Sequence, residues 1–419
     1  MNRNFKHFLD GYMEYSQCSE APDIIHTYTA ISITAAALER KVWLGLGNKR
    51  FYPSCYIFVL GEPGGTRKSS ATQLGVRILE NVGEPEGDQG IVKFMANQIT
   101  AAAMVADLKA SEKEFNLNKY QFKCSPMYIY NSELASFVKE ISGSLSELLT
   151  DLWDNREWFE KSLKSDGRTF VIGPTLNWLA CSTISWLHRA IPEEEIKGGF
   201  ASRILFVVVT RNQDRQPIAF PELIDTGDLF NKLKEDLDMI YNLAGPMDLT
   251  SSAQAYYKNW YENVHKPEIM EIKNEIQRAL INRRDAYVKK FGMINSAMRS
   301  NDLVIEAQDF EQGVKWYQMI EANMMQAFQY NRNELYEHGQ KVLDDITKAG
   351  GTSTYSDILQ NHMKDLTHKE LSLIIEDLRL ADKVEVEASG HQQVVRLRTS
   401  RRKHERPSLI ASENDTRLL

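Results

Sequence analysis

The stretch FVLGEPGGTRKSS, residues 58–70, constrains this chain more than any other. The apolar run PSCYIFVL (53–60) enters a glycine-rich turn ending Lys68-Ser69, and SSATQLGVRILENV continues with helical spacing. Strand, glycine loop and helix in that order are the parts of a phosphate-binding loop. Glycines let the backbone approach an anion, helix N-terminal N–H groups point at it, a lysine reaches the terminal phosphates and a hydroxyl ligates magnesium. The usual spacing is G-x-x-x-x-G-K-[ST], and its two glycine positions here hold Glu62 and Arg67. Gly64 and Gly65 supply the permissive backbone, and Gly61 serves as the entry glycine if the loop is one residue longer. Arg67 fits at little cost if its φ is negative, and it adds a second cation. The expected nucleotide contacts are Gly61, Gly64, Gly65, Thr66, Arg67, Lys68, Ser69 and Ser70, with the Ser69 hydroxyl on the metal. The competing reading is an ordinary Gly/Pro turn, and the flanking strand and helix weigh against it.

Downstream, strands and helices alternate. IVKFMA is a short strand, and ITAAAMVADLKASEKEF is a helix with Thr100 as its N-cap. PMYIYNSE is a strand followed by the helical LASFVKEI, and TFVIGPTLNWLACST holds one or two more strands. SRILFVVVT is a continuous apolar run of the kind buried on both faces of a sheet. The expected fold class is therefore α/β: a P-loop NTPase core with a mostly parallel sheet and flanking helices over 51–227, after an N-terminal helical region over 1–50. Residues 228–335 read as helices without a convincing strand, a helical subdomain. Residues 336–400 read as three helices, the third opened by the capping-box pair Thr367 and Glu370, followed by a hairpin broken at Ser389-Gly390, which together spell a winged helix. The tail, 401–419, reads as a disordered basic and polar segment.

A hydrolytic site needs a carboxylate to activate water and a group to help hold magnesium, at the end of a strand beside the loop. MYIYNSE ends in Asn131, Ser132 and Glu133. Glu133 is the candidate base, and the residue before it is Ser132 where an aspartate is expected, so metal holding falls to Ser132 or Asn131. The alternative for Glu133 is a first-turn acid of the following helix. At the tip of NWLACST, Asn177, Ser182 and Thr183 are each candidates to sense the terminal phosphate, with strand-end capping as the alternative; Ser182 is kept among the nucleotide contacts. Arg203, in KGGFASRILFVV, is a candidate arginine finger acting on a neighbouring subunit's ATP, or else a surface arginine. Arg211 and Arg215 are weaker candidates for the same role.

Net charge is −7, from 50 Lys and Arg against 57 Asp and Glu, which excludes a strongly basic nucleic-acid binder and leaves DNA contact to a local patch. Such a patch is expected at Arg396, Arg398, Arg401, Arg402, Lys403 and Arg406, opposed by Glu405, whereas the helix before the hairpin carries Glu370, Glu376, Asp377 and Asp382. The alternative is a solvated tail, or a winged helix used for protein contacts. The four cysteines form no C-x-x-C pair, and no apolar run approaches the length of a membrane span. A cytoplasmic location without membrane contact is the default expectation.

Taken in order, ALERKVWLGLGNKRFYPSCYIFVLGEPGGTRKSS, QITAAAMVADL, YIYNSELASFV, LLTDLWDNREWFEKSL and PTLNWLACSTISWL followed by GGFASRILFVV resemble the replicative helicase-type P-loop ATPases of phages, prophages and other mobile elements. These are RecA/AAA+-like proteins with an Arg-Lys-Ser variant of the loop and a C-terminal winged helix. The resemblance covers roughly residues 5–400, with the loop and GGFASR as its most specific parts. It implies ATP and Mg2+ as ligands, Lys68 and Ser69 in the phosphate loop, Glu133 as catalytic acid and Arg203 as the finger. It further implies a homo-oligomeric ring, with six subunits as the leading expectation, acting on DNA, single-stranded first, with replication proteins as partners through the winged helix. A helicase loader or replication initiator, and a DNA-tethered regulator with a degenerate site, are the alternatives.

Overall fold

The computed structural model describes residues 2–83, 92–95, 100–117, 120–137, 141–163, 167–192, 195, 199–209, 215–216, 218, 226–389 and 392–398. Over these the chain divides into two compact units, Met1–Tyr330 and Asn331–Leu419.

In the first unit, helices Phe8–Tyr15 and Asp23–Leu38 precede strands β1 (Val42–Leu46), β2 (Lys49–Phe51) and β3 (Tyr56–Gly61). Helices Lys68–Glu80 and Ala101–Ala110 lead to β4 (Lys113–Leu117) and β5 (Tyr120–Asn131). Helix Gly143–Trp153 precedes β6 (Trp158–Leu163), β7 (Gly167–Ile172) and β8 (Pro174–Ser182), and β9 (Leu205–Val209) follows. The rest is helical but for β10 (Gly245–Leu249) and β11 (Val304–Ile305).

The central sheet runs β4-β5-β8-β3-β9. β3 is parallel to β8 and β9, and β5 is parallel to β8. Only β4 runs antiparallel, as a hairpin partner of β5. β3, β8 and β9 are buried throughout, as their uninterrupted apolar sequences require of strands covered on both faces. The fold is thus α/β with a mostly parallel sheet, as expected. The parallel arrangement brings the C-terminal ends of β3, β5, β8 and β9 to one edge, the edge at which open α/β sheets bind ligands.

Several elements differ from the sequence expectation. The Ala101–Ala110 helix has the expected Thr100 cap, its hydroxyl accepting from the Ala103 amide, but it stops at Ala110 and Lys113–Leu117 is a strand. Of IVKFMA, Phe94 forms a single parallel bridge to Tyr128. LASFVKEI shows only a 3-10 turn, Leu134–Ser136, before residues that lie outside the description. The helix-rich region beyond residue 228 contains β10 and β11, which join β1 and β2 from the N-terminal region in a second sheet ordered β11-β10-β1-β2.

Helix Asp23–Leu38 is buried along nearly its whole length and packs against helix Lys68–Glu80. The contact depends on a small residue: a Cβ on Gly75 would lie 2.4 Å from Thr29 Cγ2. The helix that follows the glycine loop is therefore seated on a buried support.

The second unit has its own core of Val342, Ile346, Ile358, Leu371, Ile374, Val384 and Val395, among others. The C-terminal part of helix Gln326–Lys348 leads to β12 (Thr352–Thr354), helices Tyr355–His362 and His368–Leu380, and the hairpin β13 (Val384–Ser389) and β14 (Gln392–Leu397). These form a small sheet ordered β12-β14-β13. The capping box at Thr367 and Glu370 is present. Among the described residues, no helix is long and apolar enough to cross a membrane.

Candidate functional site

The glycine loop leaves β3 at Gly61 and enters the Lys68–Glu80 helix. Gly61 is tightly enclosed: a Cβ there would meet Thr66 Oγ1 and the Val209 carbonyl, each at 3.0 Å. Gly64 has φ +73°, which suits glycine. Arg67, the residue before the helix, has φ +50° and ψ +25°. The condition under which Arg67 fits at little cost, a negative φ, is therefore not met: the chain places an arginine in the left-handed conformation that the usual glycine would supply, at a cost of about 1–2 kcal/mol. Its side chain is 58% exposed and lies 3.9 Å from Glu20, a weak surface pair.

No side chain caps the helix, so the first N–H groups have no intrahelical acceptor and face the loop. Lys68 is 6% exposed, and its Nζ donates to the carbonyls of Gly61 at 3.0 Å and Glu62 at 3.1 Å. Thr66 is buried, and its hydroxyl reaches the Glu62 carbonyl at 3.4 Å. Ser69 Oγ donates to the Ser132 carbonyl at 2.7 Å, which joins the start of this helix to the end of β5. Glu133 follows, exposed and extended, at φ −145° and ψ 113°; it precedes a 3-10 turn and not a regular helix.

Two residues not anticipated from sequence complete this edge. The Thr72 hydroxyl lies 3.1 Å from the Tyr130 hydroxyl and 3.4 Å from Cys181 Sγ, and it reaches the Lys68 carbonyl at 3.0 Å. Tyr130 Oη also donates to the Ser69 carbonyl at 3.3 Å. Thr72 sits one helical turn after Lys68, a spacing that places both on one side of the helix. Burial pushes the Cys181 thiol up to about 11, and both Lys68 and Glu133 act on it electrostatically, in opposite directions. The lysine and the acid thus flank the same strand end.

The three polar candidates on β8 separate clearly. Asn177 is a structural residue, its Oδ1 accepting from the Cys55 amide and its Nδ2 donating to the Ala35 carbonyl. Thr183 caps the next helix by accepting from the Trp186 amide. Ser182 is fully buried, its Oγ has no hydrogen-bond partner among the described residues, and it lies in register with Leu60 at the loop end of β3. An orphaned buried hydroxyl costs about 1–3 kcal/mol and fits a position held for a ligand oxygen. On β5, Asn131 Oδ1 accepts from Trp178 Nε1 at 2.8 Å while its buried Nδ2 lacks a partner.

Arg203 lies elsewhere. It precedes β9, and the pairing of Ile57 with Leu205 places it level with Cys55, before β3 begins. Six strand steps, about 20 Å, separate that level from Gly61. Its guanidinium donates to the Gly199 carbonyl at 3.0 Å and pairs with Asp154 at 3.1 Å. It is 9% exposed, and Nε is buried without a partner among the described residues. Arg215 is tied to Asp23 at 2.6 Å and to the Ser19 carbonyl at 3.0 Å, far in role from the loop; Arg211 lies outside the described residues.

The expected basic patch at the C-terminus is only partly described, since Arg401, Arg402, Lys403, Glu405 and Arg406 lie outside the described residues. Arg398 is held by Glu385 at 2.6 Å and by Asp382, and Arg396 lies 3.4 Å from Glu387. The hairpin arginines therefore meet acids within their own unit, a neutralisation not anticipated from sequence.

No protein-family model and no curated protein matches the chain. Among solved structures, it is similar to a full-length MCM homolog from Methanopyrus kandleri, with a TM-score of 0.41 and 11% identity over 75% of this chain and 59% of that one. The chain thus spans less than two thirds of that protein's length.

Proposed function

We propose that this chain is an ATP hydrolase that acts on DNA as an oligomer. The observation that carries the reading is the bond between Ser69 and the Ser132 carbonyl, which brings the loop lysine, the helix N-terminus, Glu133 and the orphaned Ser182 hydroxyl to one sheet edge. ATP and Mg2+ fit this edge. The free N–H groups at the helix start and the Lys68 ammonium would hold the phosphates, and the unpartnered Ser182 Oγ would take a terminal oxygen. Ser69 would turn its hydroxyl from the Ser132 carbonyl to the metal. Among the described residues no group of three His, Cys, Asp or Glu is placed to hold a cation, so phosphates and water would supply most ligands, as is common for magnesium. The metal, when bound, neutralises phosphate charge. Glu133, exposed beside the loop, would orient and deprotonate the attacking water.

Arg203 cannot serve its own loop at this separation; a role on a neighbour's nucleotide within a ring of chains is the form of the finger reading that remains, and it would require the guanidinium to leave Gly199 and Asp154. The second unit, with three helices, a short strand and a hairpin, suits a winged helix that tethers DNA or a replication partner. A mobile-element helicase is the preferred form of this reading.

A second reading is a loader, initiator or regulator that binds ATP with little turnover. The observation in its favour is Ser132, which offers a hydroxyl and a carbonyl where a metal-holding carboxylate is expected. Hydrolysis and strand displacement measured on the same preparation separate the readings: DNA-stimulated turnover with unwinding supports a helicase, stimulated turnover without unwinding supports a loader, and binding without turnover supports a regulator.

A further inference from the structure

The hairpin β6–β7 is built back to front for a merely structural element. Strand alternation puts Phe159 and Val171 on one face, and Val171 is fully buried. The opposite face would ordinarily be polar. Beside Glu160, which pairs with Phe170, it carries Trp158, Phe170 and Ile172, at 59%, 48% and 39% exposure. Trp158 pairs across the strands with Ile172, and its ring centroid lies 6.2 Å from that of Phe170.

This face adjoins a cleft of about 970 Å3 lined by Arg40, Arg50, Arg156, Arg283 and Lys290, among others. A smaller hollow at Trp158 shares Arg156 and Glu157 with the cleft, so the two surfaces are continuous. The acids of the cleft are Asp154, Glu157 and Asp285. Asp154 is engaged by Arg203 at 3.1 Å and Asp285 by Lys289 at 2.9 Å. Arg156 is paired with Asp151 at 2.7 Å, and the buried Arg40 donates to the Asn155 and Pro174 carbonyls, each at 3.0 Å. Lys49, Arg50 and Arg283 remain as cleft cations without an ion pair among the described residues. Three of its arginines are braced on rings: Arg40 over Tyr52 at 4.2 Å, Arg50 over Trp43 at 5.1 Å and Arg283 over Trp153 at 5.1 Å. Bracing fixes the guanidinium positions before a ligand arrives.

A row of fixed cations beside exposed aromatic faces suits a flexible polyanion that carries free aromatic rings. We propose that the cleft and the Trp158/Phe170 face form a track for single-stranded nucleic acid, with phosphates along Lys49, Arg50 and Arg283 and a base stacked on Trp158. The inference rests on the reading of the chain as a DNA-acting ATPase and places the strand contact in the first unit. A duplex fits less well, because its bases are already stacked on one another. The arginines of the C-terminal hairpin, each facing an acid, are a poorer place for phosphates.

The test is anisotropy of a fluorescein-labelled oligo(dT) titrated with the full chain, without nucleotide, at several salt concentrations. The wild type is expected to bind, with affinity falling as salt rises. Trp158→Ala with Phe170→Ala should weaken binding about 10-fold or more, while Trp158→Phe, which keeps a ring, retains most of it. Lys49→Glu with Arg50→Glu should lower affinity and flatten the salt dependence. Thermal unfolding of each variant checks that it is folded. Wild-type affinity in the aromatic double variant overturns the proposal, as does a change in oligomeric state without a change in strand affinity, which would make this face a subunit contact. ATP binding by the wild type is measured in parallel. Strand binding through Trp158 without ATP binding would sink the ATPase reading alone, and ATP binding without strand binding would sink this one alone.

Discussion

The Ser69 hydroxyl donates to the Ser132 carbonyl across 2.7 Å, and β8 lies between the two strands from which these residues follow. The bond ties the start of the Lys68–Glu80 helix to the end of β5 and also occupies the hydroxyl that, on the proposed function, would ligate magnesium. A carboxylate at position 132 would add an anionic oxygen ligand where the chain offers only a neutral hydroxyl and carbonyl. Ser132→Asp is therefore expected to lower, several-fold, the Mg2+ concentration needed for half-maximal ATP turnover. An unchanged magnesium dependence would show that position 132 does not face the metal.

Arg67 stores strain in the loop at φ +50°. Arg67→Gly should raise unfolding free energy by about 1 kcal/mol, less the entropy that glycine adds to the unfolded chain. Urea denaturation of the two proteins measures the difference. Destabilisation by the glycine would mean that the arginine side chain is held more strongly than its exposure and its 3.9 Å approach to Glu20 suggest.

Ser182→Ala separates stability from function. Removing a buried hydroxyl with no partner should leave stability unchanged or raise it by about 1 kcal/mol. If the hydroxyl is held for a phosphate oxygen, turnover should fall about 10-fold or more in the same protein, read by phosphate release. Full turnover would reduce Ser182 to a packing residue.

Lys290 should make stability depend on pH. Burial pulls its ammonium down to about 8 from 10.5, and Nζ donates to the Ser54 carbonyl at 2.6 Å. The folded pKa is below the unfolded one, so between about pH 8 and 10.5 the unfolded chain holds more protons and stability due to this group rises with pH. Relative to Lys290→Met, the wild type should gain up to about 1.4 kcal/mol per pH unit across that window. Urea denaturation of both proteins at pH 7, 8, 9 and 10 tests it, and parallel pH profiles would contradict it.

What the sequence reveals here is local. β3, the glycine loop and the following helix are legible because a buried strand, glycines and helical spacing occur within thirty residues or so, and each is a short-range signal. The conformation of Arg67 is not, since closure between β3 and the helix fixes its φ and no local preference announces it. β10 and β11 are not legible because GPMDL and VI are too short to show alternation, and the pairing of β10 with β1 joins Val42 to Gly245, far apart in the chain. The place of Arg203 at the far end of the sheet follows from strand register, which its sequence neighbours do not encode. The exposure of Trp158 and Phe170 is not legible either, since only the pairing of β6 with β7 fixes which face of the hairpin they occupy.

The most direct measurement is ATP turnover by the wild type, Lys68→Ala and Glu133→Gln, with nucleotide binding measured alongside. The account predicts turnover by the wild type, loss of nucleotide binding in Lys68→Ala, and binding without turnover in Glu133→Gln. Equal turnover by all three proteins would contradict it.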